Sequence, residues 1–236
     1  MKRPLRACSL NVANEFDPLK IVVIIKSAPH NYEKRQNFRK IYSFLKRNPF
    51  KQYGIAIVFS VGMPRSIASR EFKISKNVSL VLPGANGDAL TADALNATRL
   101  KLAKEMAEHD DLIVGAYEDT YYNLTLKLMH SYYWFSYFCH KSQPTLISMD
   151  DDMGFNISYI DNFLASMQTS TRLNLFAGMQ KLRGPVVRLS NANLGNLWGE
   201  TKAEMPWSVY PPLVSIVCYY LLTTATSLFT LSCFYW

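Results

Sequence analysis

An α/β fold, with a mostly parallel sheet flanked by helices, is what three observations on this chain predict. Two β-branched apolar runs, Leu19 to Lys26 and Gly54 to Val61, stand close together. A stretch of helical spacing lies between them, and a second alternation of helix and strand follows from Thr91 to Met149. Parallel neighbours need a crossover between them, so this order favours helices laid over a parallel sheet.

Leu19 to Lys26 (LKIVVIIK) ends at Ser27-Ala28-Pro29 and reads as a buried strand. Tyr32 to Arg47 carries Phe38, Ile41, Tyr42 and Leu45 at helical spacing and stops before Asn48-Pro49, because the residue before proline is driven from the helical region. Gly54 to Val61 (GIAIVFSV) is the second strand, bounded by glycines. Thr91 to Glu108 has helical period through Leu95, Leu100, Ala103 and Met106, and Asp111 to Val114 is a short strand after it. Tyr122 to Phe138 reads as an aromatic-rich helix, Thr145 to Met149 as a strand, and Asn156 to Leu164 as another helix. Beyond Met153 the pattern weakens around Gly178, Gly184-Pro185 and Asn191 to Gly199.

The chain has 236 residues, 49% of them apolar, enough to bury a sizeable core. Residues 1–18 are expected as an irregular, polar segment and residues 19–236 as a single domain. Residues 213–236 carry no charge and are long enough to span a bilayer, although seven Ser and Thr residues favour a buried strand and helix there. The net charge of +8 suits any anionic partner, but the basic residues are scattered and no zinc-finger spacing or basic helix occurs, so nucleic acid is not expected. Cys8, Cys139, Cys218 and Cys233 lack the C-x-x-C spacing of structural zinc and leave disulfides open. Sequons at Asn77, Asn96, Asn123 and Asn156 fit a lumenal protein, with Asn123 also readable as a buried residue.

Asp150-Asp151-Asp152 ends the apolar run from Thr145 to Met149. Carboxylates at a strand end can grip a hard divalent cation and, through it, a nucleotide diphosphate. The other reading is a solvated acidic turn that caps the helix after it. Neither G-x-G-x-x-G nor G-x-x-x-x-G-K-[ST] is present, so no glycine cradle is available for phosphate and metal would have to hold it. Trp198, Trp207, Tyr210, Pro211 and Pro212 suit a sugar-binding wall or ordinary core packing.

Several segments together resemble the β-1,3-galactosyltransferase and β-1,3-N-acetylglucosaminyltransferase family. Ser27 to Arg35, running on to Phe38-Arg39-Lys40-Ile41-Tyr42, is similar to its R-x-x-x-[IL]-R-x-[ST]-W element, with Tyr42 in place of Trp. Tyr117-Glu118-Asp119-Thr120-Tyr121-Tyr122-Asn123-Leu124-Thr125-Leu126-Lys127 is similar to F-x-D-[ST]-Y-x-N-L-T-x-K. Trp134, Cys139, the acidic triplet, Gly178, Pro185-Val186-Val187-Arg188, Trp198 and Tyr210-Pro211-Pro212 follow in the family's order.

The resemblance implies a GT-A-like (Rossmann-like) fold, incomplete at its carboxyl end, and an inverting transfer of galactose or N-acetylglucosamine from a UDP-sugar to a glycan acceptor in β-1,3 linkage. It implies Mn2+ or Mg2+ on Asp150 and Asp152. Arg35, Arg39, Asp119, Lys127, Asp150 and Asp151 are implied at the donor, with Trp198, Trp207 and Tyr210 on the acceptor side. The implied setting is the Golgi membrane with a lumenal catalytic domain, held by a segment outside this chain or by residues 213–236. Two departures stand out. The resemblance places the catalytic base in an acidic motif well after Tyr210-Pro211-Pro212, yet no Asp or Glu follows Glu204. The base is therefore expected beyond Trp236, and the catalytic residue is unassigned. Ile216-Val217-Cys218-Tyr219 also replaces the family's G-x-G-Y, putting a β-branched residue where glycine permits close approach. A catalytically weak or inactive truncated relative that binds UDP-sugar or a partner enzyme is the alternative expectation, and a tail-anchored protein with a cytosolic head is a third.

Overall fold

β1 (Ile21–Lys26) is the axis of the fold, for all of its residues are buried, and a strand without a polar face must lie inside a sheet covered on both sides. The computed structural model describes residues 21–43, 54–68, 71–75, 78–81, 89–139, 144–168, 170–171, 176–177, 179–181, 184–188, 200–203, 205–210, 213–215 and 220–222. From β1 the chain runs through α1 (Tyr32–Ile41) to β2 (Ile55–Met63). β3 (Arg65–Ser66) and β6 (Ala89–Leu90) pair in parallel on either side, in sequence, of the hairpin β4 (Glu71–Ser75) and β5 (Val78–Val81). α2 (Ala92–Glu108), capped by the Thr91 hydroxyl, leads to β7 (Leu112–Glu118). A 3-10 turn, Tyr121–Asn123, then enters α3 (Leu124–Phe138), and β8 (Thr145–Asp150) and α4 (Ile157–Ala165) follow. The remaining strands are β9 (Phe176–Ala177), β10 (Met179–Lys181), β11 (Leu213–Ser215) and β12 (Tyr220–Leu222).

The main sheet has the order β7-β2-β1-β8-β12-β9. Its first four strands are parallel, while β12 runs antiparallel to both β8 and β9. The chain steps outward from β1 to β2 and β7, then returns to the opposite flank of β1 with β8. Strand order therefore reverses between β1 and β8, and open α/β sheets bind ligands outside the carboxyl ends of strands at such a point.

Alternate β1 residues serve opposite faces, as the twofold strand period requires. Val22 and Ile24 pack with Leu128, Tyr132 and Phe135 of α3, and Ile21, Val23 and Ile25 pack with Phe38, Leu102, Ile157 and Leu164 of the other helices. Each such side chain contributes about 1.5–3 kcal/mol when buried, so the centre of the sheet is the rigid base of whatever its strand ends carry. Tyr42 joins α1 to the segment before α4: its ring stacks on Phe155 at 4.4 Å, and its hydroxyl accepts from Phe155 N at 2.8 Å.

Among the described residues, no helix is long and apolar enough to cross a membrane. Within 213–236, Leu213–Ser215 and Tyr220–Leu222 are strands, the second of them in the main sheet. The rest of that segment as far as Trp236, including the run Ile216 to Tyr219, lies outside the described residues, as do residues 1–18 and Trp198.

Candidate active site at the β1–β8 crevice

Lys26 and Asp150 are direct partners in the parallel register of β1 and β8, each at the carboxyl end of its strand. Their positions on the ladder put both side chains on the face that α3 covers, and Lys26 Nζ lies 3.0 Å from Asp150 Oδ1. Lys26 is nearly buried, at 8% exposure, whereas Asp150 is open to solvent at 37%. The acidic triplet thus stands at the topological switch point rather than on a remote turn.

One residue on, the strand period sends Asp151 the other way, toward the start of α1. Its Oδ2 accepts from Ser27 Oγ at 2.7 Å and from Asn31 Nδ2 at 2.8 Å, and its Oδ1 accepts from Lys34 Nζ at 3.1 Å. Asn31, at the N-cap position, makes no side-chain cap on its own helix. Its amide ties the acidic turn to α1 instead. Asp152 is exposed, and α4 is capped by Asn156, whose Oδ1 accepts from Tyr159 N at 3.1 Å. The triplet is therefore not the cap of that helix.

Arg35 has no exposed surface to offer a ligand. Its Nε and Nη2 donate to Glu105, Nη2 also to Pro29 O, and Nη1 to Ala28 O at 2.6 Å and Ser27 Oγ at 3.1 Å. Its link to the acidic turn runs through Ser27. Arg39 forms a bidentate pair with Asp111, at 2.8 and 2.7 Å, and places Nη1 2.7 Å from Glu105 Oε1. Burial pulls the Glu105 carboxyl upward, but the bonds and charges of Arg35 and Arg39 outweigh it and hold it below its ordinary value. These arginines clamp α1 to α2 and to the entry of β7.

Asp119 follows β7 and is buried. Its Oδ2 accepts from Gly62 N at 2.7 Å, and its Oδ1 pairs with Lys127 Nζ at 2.7 Å. A Cβ on Gly62 would meet the Tyr117 ring at 2.7 Å and Asp119 Cβ at 3.0 Å, so glycine lets this carboxylate approach the backbone. Lys127, on the first turn of α3, also donates to Ser27 O at 3.0 Å. Desolvation lowers its pKa, opposed by Asp119 and Asp151 and assisted by the nearby Lys26. The neighbouring Thr120 hydroxyl is buried and has no hydrogen-bond partner among the described residues. Tyr121, 41% exposed, feels the charge of Asp150, which adds to desolvation in raising its phenol pKa.

Lys26, Lys127, Asp119, Asp150 and Asp151 thus gather around Ser27. Trp207 and Tyr210 lie on a second cluster, in which Arg188 donates to Met205 O at 2.5 Å and to Trp207 O, and Val186 N donates to Ser208 O at 2.9 Å. Trp207 is well exposed there. Within the triplet, Asp151 is held by Ser27, Asn31 and Lys34, Asp150 is paired with Lys26, and Asp152 is exposed. Among the described residues, no group of three or more His, Cys, Asp or Glu side chains could hold a metal by itself. Among the described residues, which end at Leu222, none is assigned as the catalytic base.

Sequence reasoning missed Lys26, Ser27, Asn31, Lys34 and Glu105. Lys26 carried a signal: a lone charge closing a buried strand, as Asp150 closes its neighbour. Glu105 had none: the stripe expected on α2 runs through Leu100, Ala103 and Met106, whereas the helix buries Leu102 and Glu105 and leaves Leu100 exposed.

Fold and site together define a GT-A-like α/β protein with a cluster of paired charges at its topological switch point. The Galactosyltransferase family pattern matches residues 91–230. Human beta-1,3-galactosyltransferase 5 is 34% identical over 112 residues, covering 48% of this chain and 34% of that protein. Human acetylgalactosaminyl-O-glycosyl-glycoprotein beta-1,3-N-acetylglucosaminyltransferase is 29% identical over 166 residues, covering 70% and 36%. Lactosylceramide 1,3-N-acetyl-beta-D-glucosaminyltransferase A of Danio rerio is 25% identical over 201 residues, covering 81% and 43%. The chain belongs to the Galactosyltransferase family, and it spans less than half the length of these relatives.

Proposed function

We propose that this protein is a hexosyltransferase that moves galactose or N-acetylglucosamine from a UDP-sugar to a glycan acceptor, in β-1,3 linkage with inversion, in protein glycosylation. The observation that carries the reading is the convergence of Asp150, Lys26 and the Asp119–Lys127 pair on the crevice between β1 and β8. The names of the relatives point to the same chemistry. Two exposed carboxylates, Asp150 and Asp152, fit Mn2+ or Mg2+ only when phosphate oxygens complete its shell, as for cations carried by nucleotides. Such an ion, when bound, supplies Lewis acidity that neutralises the leaving diphosphate.

The chain's own residues divide the remaining work. Asp151, through Ser27, Asn31 and Lys34, holds the acidic turn against α1. Lys127 and Lys26 place positive charge beside the crevice, and Arg35 and Arg39 keep its wall rigid. Trp198, Trp207 and Tyr210 are the acceptor-side candidates, since flat rings stack on apolar sugar faces. The attacking hydroxyl must lose a proton to a positioned base, and none of the residues named above is given that part. Cys139 is disulfide-bonded, which supports an oxidising compartment such as the Golgi lumen.

Purified protein incubated with Mn2+, UDP-galactose or UDP-N-acetylglucosamine and a glycan acceptor tests the proposal. The expected result is UDP release with a β-1,3-linked product, abolished in Asp152→Ala. UDP binding without product assigns the protein to the non-catalytic alternative, and no binding of either donor contradicts both.

A further inference from the structure

We infer that Lys26 is a built-in counter-ion that occupies Asp150 until a diphosphate arrives, so that divalent cation and nucleotide bind together rather than the cation first. This rests on the donor-site reading above and adds to it an order of binding. Three positive side chains each hold a negative one, Lys26 with Asp150 at 3.0 Å, Lys34 with Asp151 at 3.1 Å and Lys127 with Asp119 at 2.7 Å, and Asp152 stands exposed beside them. A free dication entering this cluster meets no net negative charge from these pairs. It must also compete for Asp150 with an ammonium that is already in contact and is nearly excluded from water.

Lys26 cannot simply withdraw into the protein. Its stem is fixed at the end of β1, on the face that α3 covers, where Lys127 Nζ is already held on Ser27 O. A diphosphate in the crevice offers the ammonium another oxygen partner and frees Asp150 for the cation. Charge is conserved through the exchange: the nucleotide diphosphate brings negative charge, the cation brings positive charge, and the three protein pairs lose none of their own. By linkage, whatever factor the diphosphate adds to cation affinity the cation adds to diphosphate affinity.

The test is Mn2+ binding to the native chain, Lys26→Gln and Lys26→Arg, read from the free-ion electron paramagnetic resonance signal with and without UDP, alongside UDP binding with and without Mn2+. For the native chain, UDP should tighten Mn2+ by at least about fivefold. Lys26→Gln should bind Mn2+ alone at least about fivefold more tightly than native, with the enhancement by UDP reduced accordingly. Lys26→Arg, which keeps the charge, should behave as native does. Equal Mn2+ affinity in native and Lys26→Gln chains, with Mn2+-dependent UDP binding intact, overturns this inference alone. A native chain that binds no UDP in the presence of Mn2+ overturns the donor-site reading and this inference with it. If Lys26→Gln does not fold, the native measurement still decides: Mn2+ affinity indifferent to UDP contradicts the exchange.

Discussion

Lys127 Nζ lies 2.7 Å from Asp119 Oδ1, and neither side chain is more than 6% exposed. This ion pair joins the first turn of α3 to the end of β7, and through Ser27 O it reaches the end of β1. A buried pair contributes little net stability, but removing one member leaves the other charge without compensation. Asp119→Ala, which also strips Gly62 N of its acceptor, should destabilise the protein by about 3–5 kcal/mol in urea unfolding. Lys127→Met should do much the same, and the double variant should lose far less than the sum.

Glu105 supplies the pH dependence. Its folded pKa lies below the ordinary glutamate value of 4.5, so the native state releases this proton more readily than the unfolded chain. The stabilisation is complete above about pH 4.5 and is lost as pH falls through the lower, folded value. Glu105→Gln leaves Arg35 and Arg39 short of their shared counter-ion, costing about 3 kcal/mol near neutrality. The difference between native and variant melting temperatures should shrink on acidification below pH 4.5, and a difference that grows there contradicts the assignment.

Asp151 and Asp152 should separate cleanly. Asp151→Ala frees Ser27 and Asn31 from their acceptor and should cost about 1–3 kcal/mol. Asp152→Ala removes an exposed side chain and should stay within about 0.5 kcal/mol of native in thermal unfolding. Equal losses of stability in both would contradict the division of roles drawn for the acidic turn.

Asn96 is exposed on α2, whereas the Asn123 amide donates to Glu118 O at 2.8 Å and Asn156 caps α4. Expression through a secretory pathway should add an N-glycan at Asn96 before Asn123, read by peptide mass after glycosidase digestion. An unmodified Asn96 in secreted protein would count against a lumenal head.

The frame of the fold was legible because its strands and helices differ in period and are punctuated sharply. β1, α2, α3 and β8 begin or end within a residue or two of their expected positions, Thr91 capping α2 as its position before a periodic run suggests. A strand was favoured within residues 213–236, but the antiparallel place of Tyr220–Leu222 beside β8 was not legible, since pairing depends on a partner distant in sequence. Site residues were harder. The triplet could be seen, but its side chains part company through strand alternation and the approach of α1, and both depend on contacts between positions more than 100 residues apart. Arg35 and Arg39 read as ligand-facing because Glu105 and Asp111, their partners, are distant in sequence.

Calorimetric titration of UDP into the native chain and Asp152→Ala, with and without Mn2+, decides whether the acidic turn holds the donor through a cation. Binding to the native chain should require Mn2+ and be lost in Asp152→Ala while the variant remains folded. Binding that is equal with and without Mn2+, or unchanged by the substitution, would contradict that role for the turn.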